Sequence, residues 1–210
     1  MRSPIAKEGF IFVIPLAFLA AAFYSFSYYW AAGLFEGLFL FCAWFFRDPE
    51  RNIPQEPNVI VSPADGKVVE IIKESDPLLP NENYTRVSVF LNVFNVHVNR
   101  VPIAGKIQAV RYNKGKFLNA ASHKASLDNE QNAILLDNGS RKILVKQIAG
   151  LIARRIVCLA KEGDEYQLGQ RFGLIRFGSR TDIFVPAETI IKVKEGDIVS
   201  GGSSIIGYLK

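Results

Sequence analysis

Hydrophobic and polar positions divide this chain into two unlike parts. From Gly9 to Phe35 no residue is charged; Glu36 interrupts, and Gly37–Phe46 is uncharged again. At about 1.5 Å rise per residue, the first run alone would cross a hydrocarbon core of roughly 30 Å. The run is too long for the apolar part of a signal peptide and ends without a small-residue cleavage pattern, so it reads as retained. Two arrangements fit. One tilted helix spans, with 36–46 in the interface, or two shorter helices near 9–26 and 29–46 turn around Tyr28-Tyr29-Trp30. Arg2 and Lys7 precede the run while Arg47 and Arg51 follow it, which favours a hairpin with both ends cytoplasmic. A buried hairpin in a soluble core is the plainer alternative, and the unbroken charge-free length weighs against it.

After Phe46 the pattern changes. "RDPERNIPQEP" (47–57) is polar with three prolines and reads as an extended linker. Beyond it, short β-branched runs between turn residues predict a mostly β body over 58–210, a compact barrel or sandwich. Strands are expected at 58–62, 67–73, 86–92, 104–111, 133–137, 142–148, 151–159, 172–185, 189–194 and 204–209. Asn138-Gly139 between two apolar runs is a strong hairpin signal. The polar stretch 119–132, which holds His123 and ends in "NEQN", reads as a surface loop with some helix; His123 is expected to be solvated, and "NEQN" receives no role.

Net charge +5 and a pI near 9.2 suit a body lying against anionic headgroups. Lysines and arginines are dispersed and no recognition motif appears, so nucleic acid is not an expected partner. Cys42 and Cys158 lack metal-ligand spacing and read as apolar filler; no metal site is assigned.

Against this background one dipeptide stands out. Gly-Ser occurs at 139–140, 178–179 and 202–203. The first lies in the hairpin turn and the third in a glycine-dense turn, where glycine has an ordinary use. Gly178-Ser179 instead interrupts "QRFGLIRFGSRTDIFVP" (170–186), which otherwise alternates as a strand. Ile175, Phe177, Ser179, Thr181, Ile183 and Val185 share one expected face; Arg176, Gly178, Arg180 and Asp182 share the other. On pattern alone, the simplest reading is a β-bulge at a barrel corner. A chemical reading also exists. A serine hydroxyl can attack the carbonyl before it where the backbone is strained and a base takes the proton. The ester so formed breaks by β-elimination to dehydroalanine. Hydrolysis then releases ammonia and leaves an N-terminal pyruvoyl ketone, an electron sink for amine substrates.

The sequence around this pair resembles the phosphatidylserine decarboxylase proenzymes, in their short bacterial and archaeal form. The likeness is carried in order by "FFRDPERNIP" (45–54), "VSPADGKV" (61–68), "FLNVFNVHVNRVP" (90–102), "QIAGLIARRIV" (147–157) and "RFGLIRFGSRTDIFVP" (171–186). It implies self-cleavage between Gly178 and Ser179, giving a large β chain, 1–178, and a small α chain, 179–210. Ser179 becomes a covalently bound pyruvoyl group, the cofactor, which forms a Schiff base with phosphatidylserine. Loss of CO2 then gives phosphatidylethanolamine at the cytoplasmic face of the cell membrane. The resemblance also assigns Asp65 and His97 to processing and catalysis; physically, an Asp–His pair would orient an imidazole toward the serine proton. Longer members carry a second histidine where this chain has Arg100, which leaves His97 to serve both steps or Arg100 to hold a substrate anion. Arg176 and Arg180 are candidate anion binders, with an Arg180–Asp182 ion pair as the structural alternative. Arg154 and Arg155 can meet headgroups or line a solvated edge.

Two rivals come from other classes. "VIVSPADGKVVEI" and "IIKVKEGDIVSGGSSIIGYL" look like halves of a lipoyl- or biotinyl-carrier barrel, although no exposed Met-Lys-Met or Asp-Lys-Ala turn is present. A membrane serine hydrolase using Ser179, His97 and Asp65 would lack a nucleophile elbow.

Overall fold

The charge-free run folds into two helices, α1 (Phe10–Ser25) and α2 (Tyr29–Phe45), joined by a tight turn in which Ser27 takes a left-handed φ of 63°. The computed structural model describes residues 3–79, 83–115, 129–150, 155–176 and 179–210. These fall into two compact units, Met1–Glu50 and Arg51–Lys210. In the first unit, ring stacking of Phe23 on Phe35 (5.2 Å) and Phe12 on Phe46 (5.5 Å) zips the hairpin at both ends. Its open end is closed by an Ile5–Arg47 bridge and by the Ala6 amide on the Phe46 carbonyl, 2.8 Å. Gly9 is needed there, because a Cβ would stand 2.5 Å from that of Phe46. Many large apolar side chains on both helices face outward, Phe18 at 73% and Trp30 at 77% exposure among them. With its leading 3-10 turn, the first helix covers Lys7–Ser25, 19 residues, long and apolar enough to cross a membrane.

The second unit is mostly strand. In chain order the strands are β1 (Val59–Val61), β2 (Gly66–Lys73), β3 (Tyr84–Leu91), β4 (Val98–Arg100), β5 (Gly105–Asn113), β6 (Gln131–Asp137) and β7 (Lys142–Ala149). There follow β8 (Arg155–Cys158), β9 (Glu165–Tyr166), β10 (Arg171–Arg176), β11 (Ser179–Pro186), β12 (Ile190–Ile191), β13 (Ile198–Val199) and β14 (Ile205–Tyr208). Eight of them form one antiparallel sheet, ordered β13-β2-β3-β11-β7-β6-β5-β9, curled as a half-barrel. Its inner face carries Val87, Val89, Ile134, Val145, Ile183 and Val185, all fully buried. Two three-stranded sheets, β1-β14-β12 and β4-β10-β8, complete the described unit. This is the mostly β barrel or sandwich that the alternation predicts.

Strand order exposes a seam. In the large sheet β3, β11 and β7 are neighbours, and in the small sheet β4, β10 and β8 are neighbours in the same order. Chain connectivity matches: β3 leads to β4, β10 leads to β11, and β7 leads to β8. The small sheet is therefore the onward run of three central strands, set off at a common row. Ser179 lies on that row, paired with Leu91 on one side and Ala149 on the other.

Several expectations need correction here. The described residues of the single strand expected over 172–185 fall in two strands, β10 and β11, that belong to different sheets with different neighbours. "NEQN" is no surface loop: Gln131 opens β6, and Asn129, Glu130 and Asn132 are buried. Strands β4, β9 and β13 are additional to those expected. The connection at Asn138-Gly139 is a four-residue turn over 138–141, with Gly139 at φ 89° and the Asn138 amide on the Arg141 carbonyl, 3.2 Å. Phe177, Gly178, His123, Arg154 and most of 119–132 lie outside the described residues.

Candidate active site

Ser179 opens β11 with none of its surface exposed, and its hydroxyl has no hydrogen-bond partner among the described residues. Burying a hydroxyl unsatisfied costs about 1–3 kcal/mol, and folded proteins seldom tolerate it. Neighbours on both sides supply backbone pairing only, so nothing in the sheet compensates.

His97 belongs to the same seam. It lies in the link between Leu91, which pairs with Ser179, and Val98, which pairs with Leu174 of β10. Its carbonyl accepts the Ile175 amide at 3.2 Å, and its ring is buried. Ring Nδ1 stands 3.0 Å from the Asn95 carbonyl. A carbonyl only accepts, so Nδ1 carries the proton and Nε2 is the basic nitrogen of the neutral ring. The turn beneath is fixed by two asparagines: Asn95 Oδ1 accepts the Asn92 amide, and Asn92 Oδ1 accepts the Phe94 amide.

Among the described residues, the side-chain bonds of Asp65 go to partners other than His97. Asp65 instead accepts two bonds from Arg51, both 2.9 Å, and a third from the Gly201 amide, 2.8 Å. Arg100 shares this corner: it is buried, donates to the Gly169 carbonyl at 3.2 Å, and packs where a Cβ on Gly202 would come within 2.8 Å of its Cδ. Arg180 turns to the opposite face from Ser179 and forms a two-point ion pair with Asp182, at 2.9 and 3.0 Å. Burial pushes the Asp182 carboxyl up, against the pull of Arg180 and Arg86. Arg176 ends β10 half-buried, directly opposite exposed Arg155 of β8.

The sequence pattern missed a second polar group. Asn99, Gln147 and Thr181 are fully buried and joined by hydrogen bonds, with Gln147 donating to Asn99 (2.8 Å) and Asn99 to Thr181 (3.2 Å). Glutamine at an inward position of "KILVKQIA" was the available signal. Cys158 is half-buried, and burial pushes its thiol up, which suits filler rather than a nucleophile.

Comparison with known proteins identifies the family. The phosphatidylserine decarboxylase family model matches residues 38–207. A phosphatidylserine decarboxylase proenzyme of Syntrophotalea carbinolica is 49% identical over 210 residues, 100% of this chain and 98% of its own. A proenzyme of the same name from Syntrophus aciditrophicus is 48% identical over 206 residues, 97% of this chain and 96% of its own. One from Geobacter metallireducens is 42% identical over 214 residues, covering 99% and 98%. A buried serine with no hydroxyl partner among the described residues thus sits in a chain similar to these proenzymes from end to end, and this chain belongs to the phosphatidylserine decarboxylase family.

Proposed function

We propose that the Gly178–Ser179 peptide bond breaks itself, and that Ser179 becomes a pyruvoyl group on which phosphatidylserine loses CO2 to give phosphatidylethanolamine. One observation carries this reading: the Ser179 hydroxyl is buried without a partner among the described residues, at the row where the described parts of β3, β7 and β11 end. Attack on the adjoining carbonyl consumes that costly hydroxyl.

His97 takes the hydroxyl proton through Nε2. The bond from Ser179 Oγ to the Gly178 carbonyl carbon forms as that carbon's bond to nitrogen breaks. Loss of the Ser179 α-proton then breaks the Cβ–Oγ bond, leaving Gly178 as a carboxylate. Water replaces the nitrogen, which departs as ammonia. Once formed, the pyruvoyl group supplies a ketone that condenses with the lipid amine and accepts the electron pair CO2 leaves behind. His97 returns a proton to the carbon that lost CO2. Arg176 and Arg155 stand opposite each other on neighbouring strands, and a lipid phosphodiester suits a guanidinium fork there. Asp65 contributes position, tying Arg51 to the Gly201 turn, and Arg100 braces the strand beside it. The apolar segment 1–46 holds the enzyme at the cytoplasmic face of the membrane, and 47–57 links it to the catalytic unit 58–210. Carrier and hydrolase readings fall with membership of a decarboxylase family.

Chains 1–178 and 179–210 stay together after the break. Chain 179–210 contributes β11 between β3 and β7, β13 beside β2, and β14 beside β1. Intact mass measurement of the purified protein is expected to find both chains, co-eluting on gel filtration and separating only in denaturant. The small chain is expected to resist Edman degradation and to react with a hydrazide. A single continuous chain with its serine in place would overturn the reading.

A further inference from the structure

One register row on the inner face of the large sheet is polar where its neighbours are apolar. Asn132, Gln147 and Thr181 stand side by side on β6, β7 and β11, at 3% exposure or less. The next row inward is Ile134, Val145 and Ile183. The hydrogen bonds run one way. Asn132 donates to Gln147 at 3.1 Å, Gln147 donates to Asn99 at 2.8 Å, and Asn99 donates to Thr181 at 3.2 Å. Asn99 is the exception in this row, because its strand β4 belongs to the other sheet. Its amide therefore spans the two sheets one step below the seam, gripping β7 with its oxygen and β11 with its nitrogen. Room for the grip is reserved at Gly173, which pairs with Asn99: a Cβ there would lie 3.1 Å from Gln147 Nε2 and 2.3 Å from the Val157 carbonyl.

We propose that Asn99 and Thr181 are positioning residues for self-cleavage, setting how β11 leaves the seam and so where the Ser179 hydroxyl stands relative to the carbonyl it attacks. Thr181 lies two residues from Ser179 on the same face of β11, so a hydrogen bond that fixes one fixes the direction of the other. Fully satisfied buried networks impose one geometry, whereas a partly satisfied one does not. Attack on a neighbouring carbonyl depends steeply on such placement. The proposal rests on the self-cleavage reading above and adds residues that neither touch substrate nor carry the reacting atoms.

The test follows processing of full-length protein in time by denaturing gel and intact mass, wild type alongside the variants. Thr181→Val keeps the shape and removes the acceptor; Asn99→Leu removes the bridge; Thr181→Ser keeps a hydroxyl in place. Thr181→Val and Asn99→Leu are expected to slow cleavage about tenfold or more, the rate equivalent of one lost hydrogen bond. Thr181→Ser is expected to restore most of the rate. Thermal unfolding of each change placed on Ser179→Ala, which cannot cleave, separates positioning from folding. Thr181→Val and Asn99→Leu cleaving at the wild-type rate would overturn the proposal. So would Thr181→Ser being as slow as Thr181→Val, or slowing that occurs only where the uncleavable chain also fails to fold. A wild type that remains whole would instead overturn the self-cleavage reading itself.

Discussion

Changing Ser179 to alanine is expected to leave one continuous chain with no decarboxylase activity, a loss limited only by the assay background. The substitution removes one oxygen from a site where that oxygen has no partner among the described residues, so the folded sheet loses no hydrogen bond. If anything the proenzyme gains stability, since an unsatisfied buried hydroxyl costs about 1–3 kcal/mol. Inactivity of a well-folded variant then reports chemistry alone. Ser179→Thr sharpens the test. It retains an attacking oxygen, and elimination followed by hydrolysis leaves a ketone one methylene longer than pyruvoyl. Slow cleavage to a small chain heavier by that methylene would locate the ketone at residue 179. A Ser179→Ala protein that still decarboxylates phosphatidylserine would dismiss residue 179 as the source of the electron sink.

Much of the fold was legible because its driving forces act locally. Absence of charge over 9–35, the longest such run in the chain, followed after Glu36 by uncharged and apolar 37–46, marked the apolar helices. Period-two alternation located most of the long strands to within a residue or two. The change of sheet between Arg176 and Ser179 was not legible. Both flanking strands are largely buried, and the two-residue alternation carries on from one to the other, so no change of period announces the seam. Strand β4 escaped notice for another reason: three residues, one asparagine and one arginine among them, give no pattern to count.

The candidate site divides along the same line. Ser179 was visible because glycine and serine break an alternating run. His97 needed the family likeness, since a single histidine carries no spacing. Asn99 and Asn132 lie outside the expected strands, and a single Gln147 in a strand pattern gives no sign of a buried partner. Their burial depends on partners 15 to 82 positions away in sequence, and no local window contains such information. Asp65 shows the converse. "SPADG" drew attention to it, yet its bidentate partner Arg51 sits in what read as a plain linker.

The largest stability effect is expected on the other face of the same sheet. Arg86 of β3 is a fully buried guanidinium bonded to Glu74 and Ser88, with Glu70 at 2.6 Å and Asp182 at 3.6 Å. Asp182 in turn is held by Arg180, next to Ser179 along β11. Removing one member of a buried charge set strands its partners in a medium that solvates them poorly, at a cost of about 3–5 kcal/mol. That is a large share of the roughly 5–15 kcal/mol that holds a domain together. Arg86→Leu in the uncleavable Ser179→Ala chain is therefore expected to lower Tm by roughly 10 °C, at some 2–4 °C per kcal/mol for a protein of this size. Arg141 provides the contrast: its ion pair with Glu188 is 3.0 Å long, but both side chains are more than 40% exposed. Water already solvates both charges, so Arg141→Leu is expected to cost about 0–1 kcal/mol and shift Tm by no more than a few degrees. The two variants delete the same side chain from ion pairs that differ in burial and in number of partners. Equal Tm shifts would refute the view that the charge cluster behind Ser179 is a dry network whose every member is needed, and would mean that water reaches Arg86 in solution.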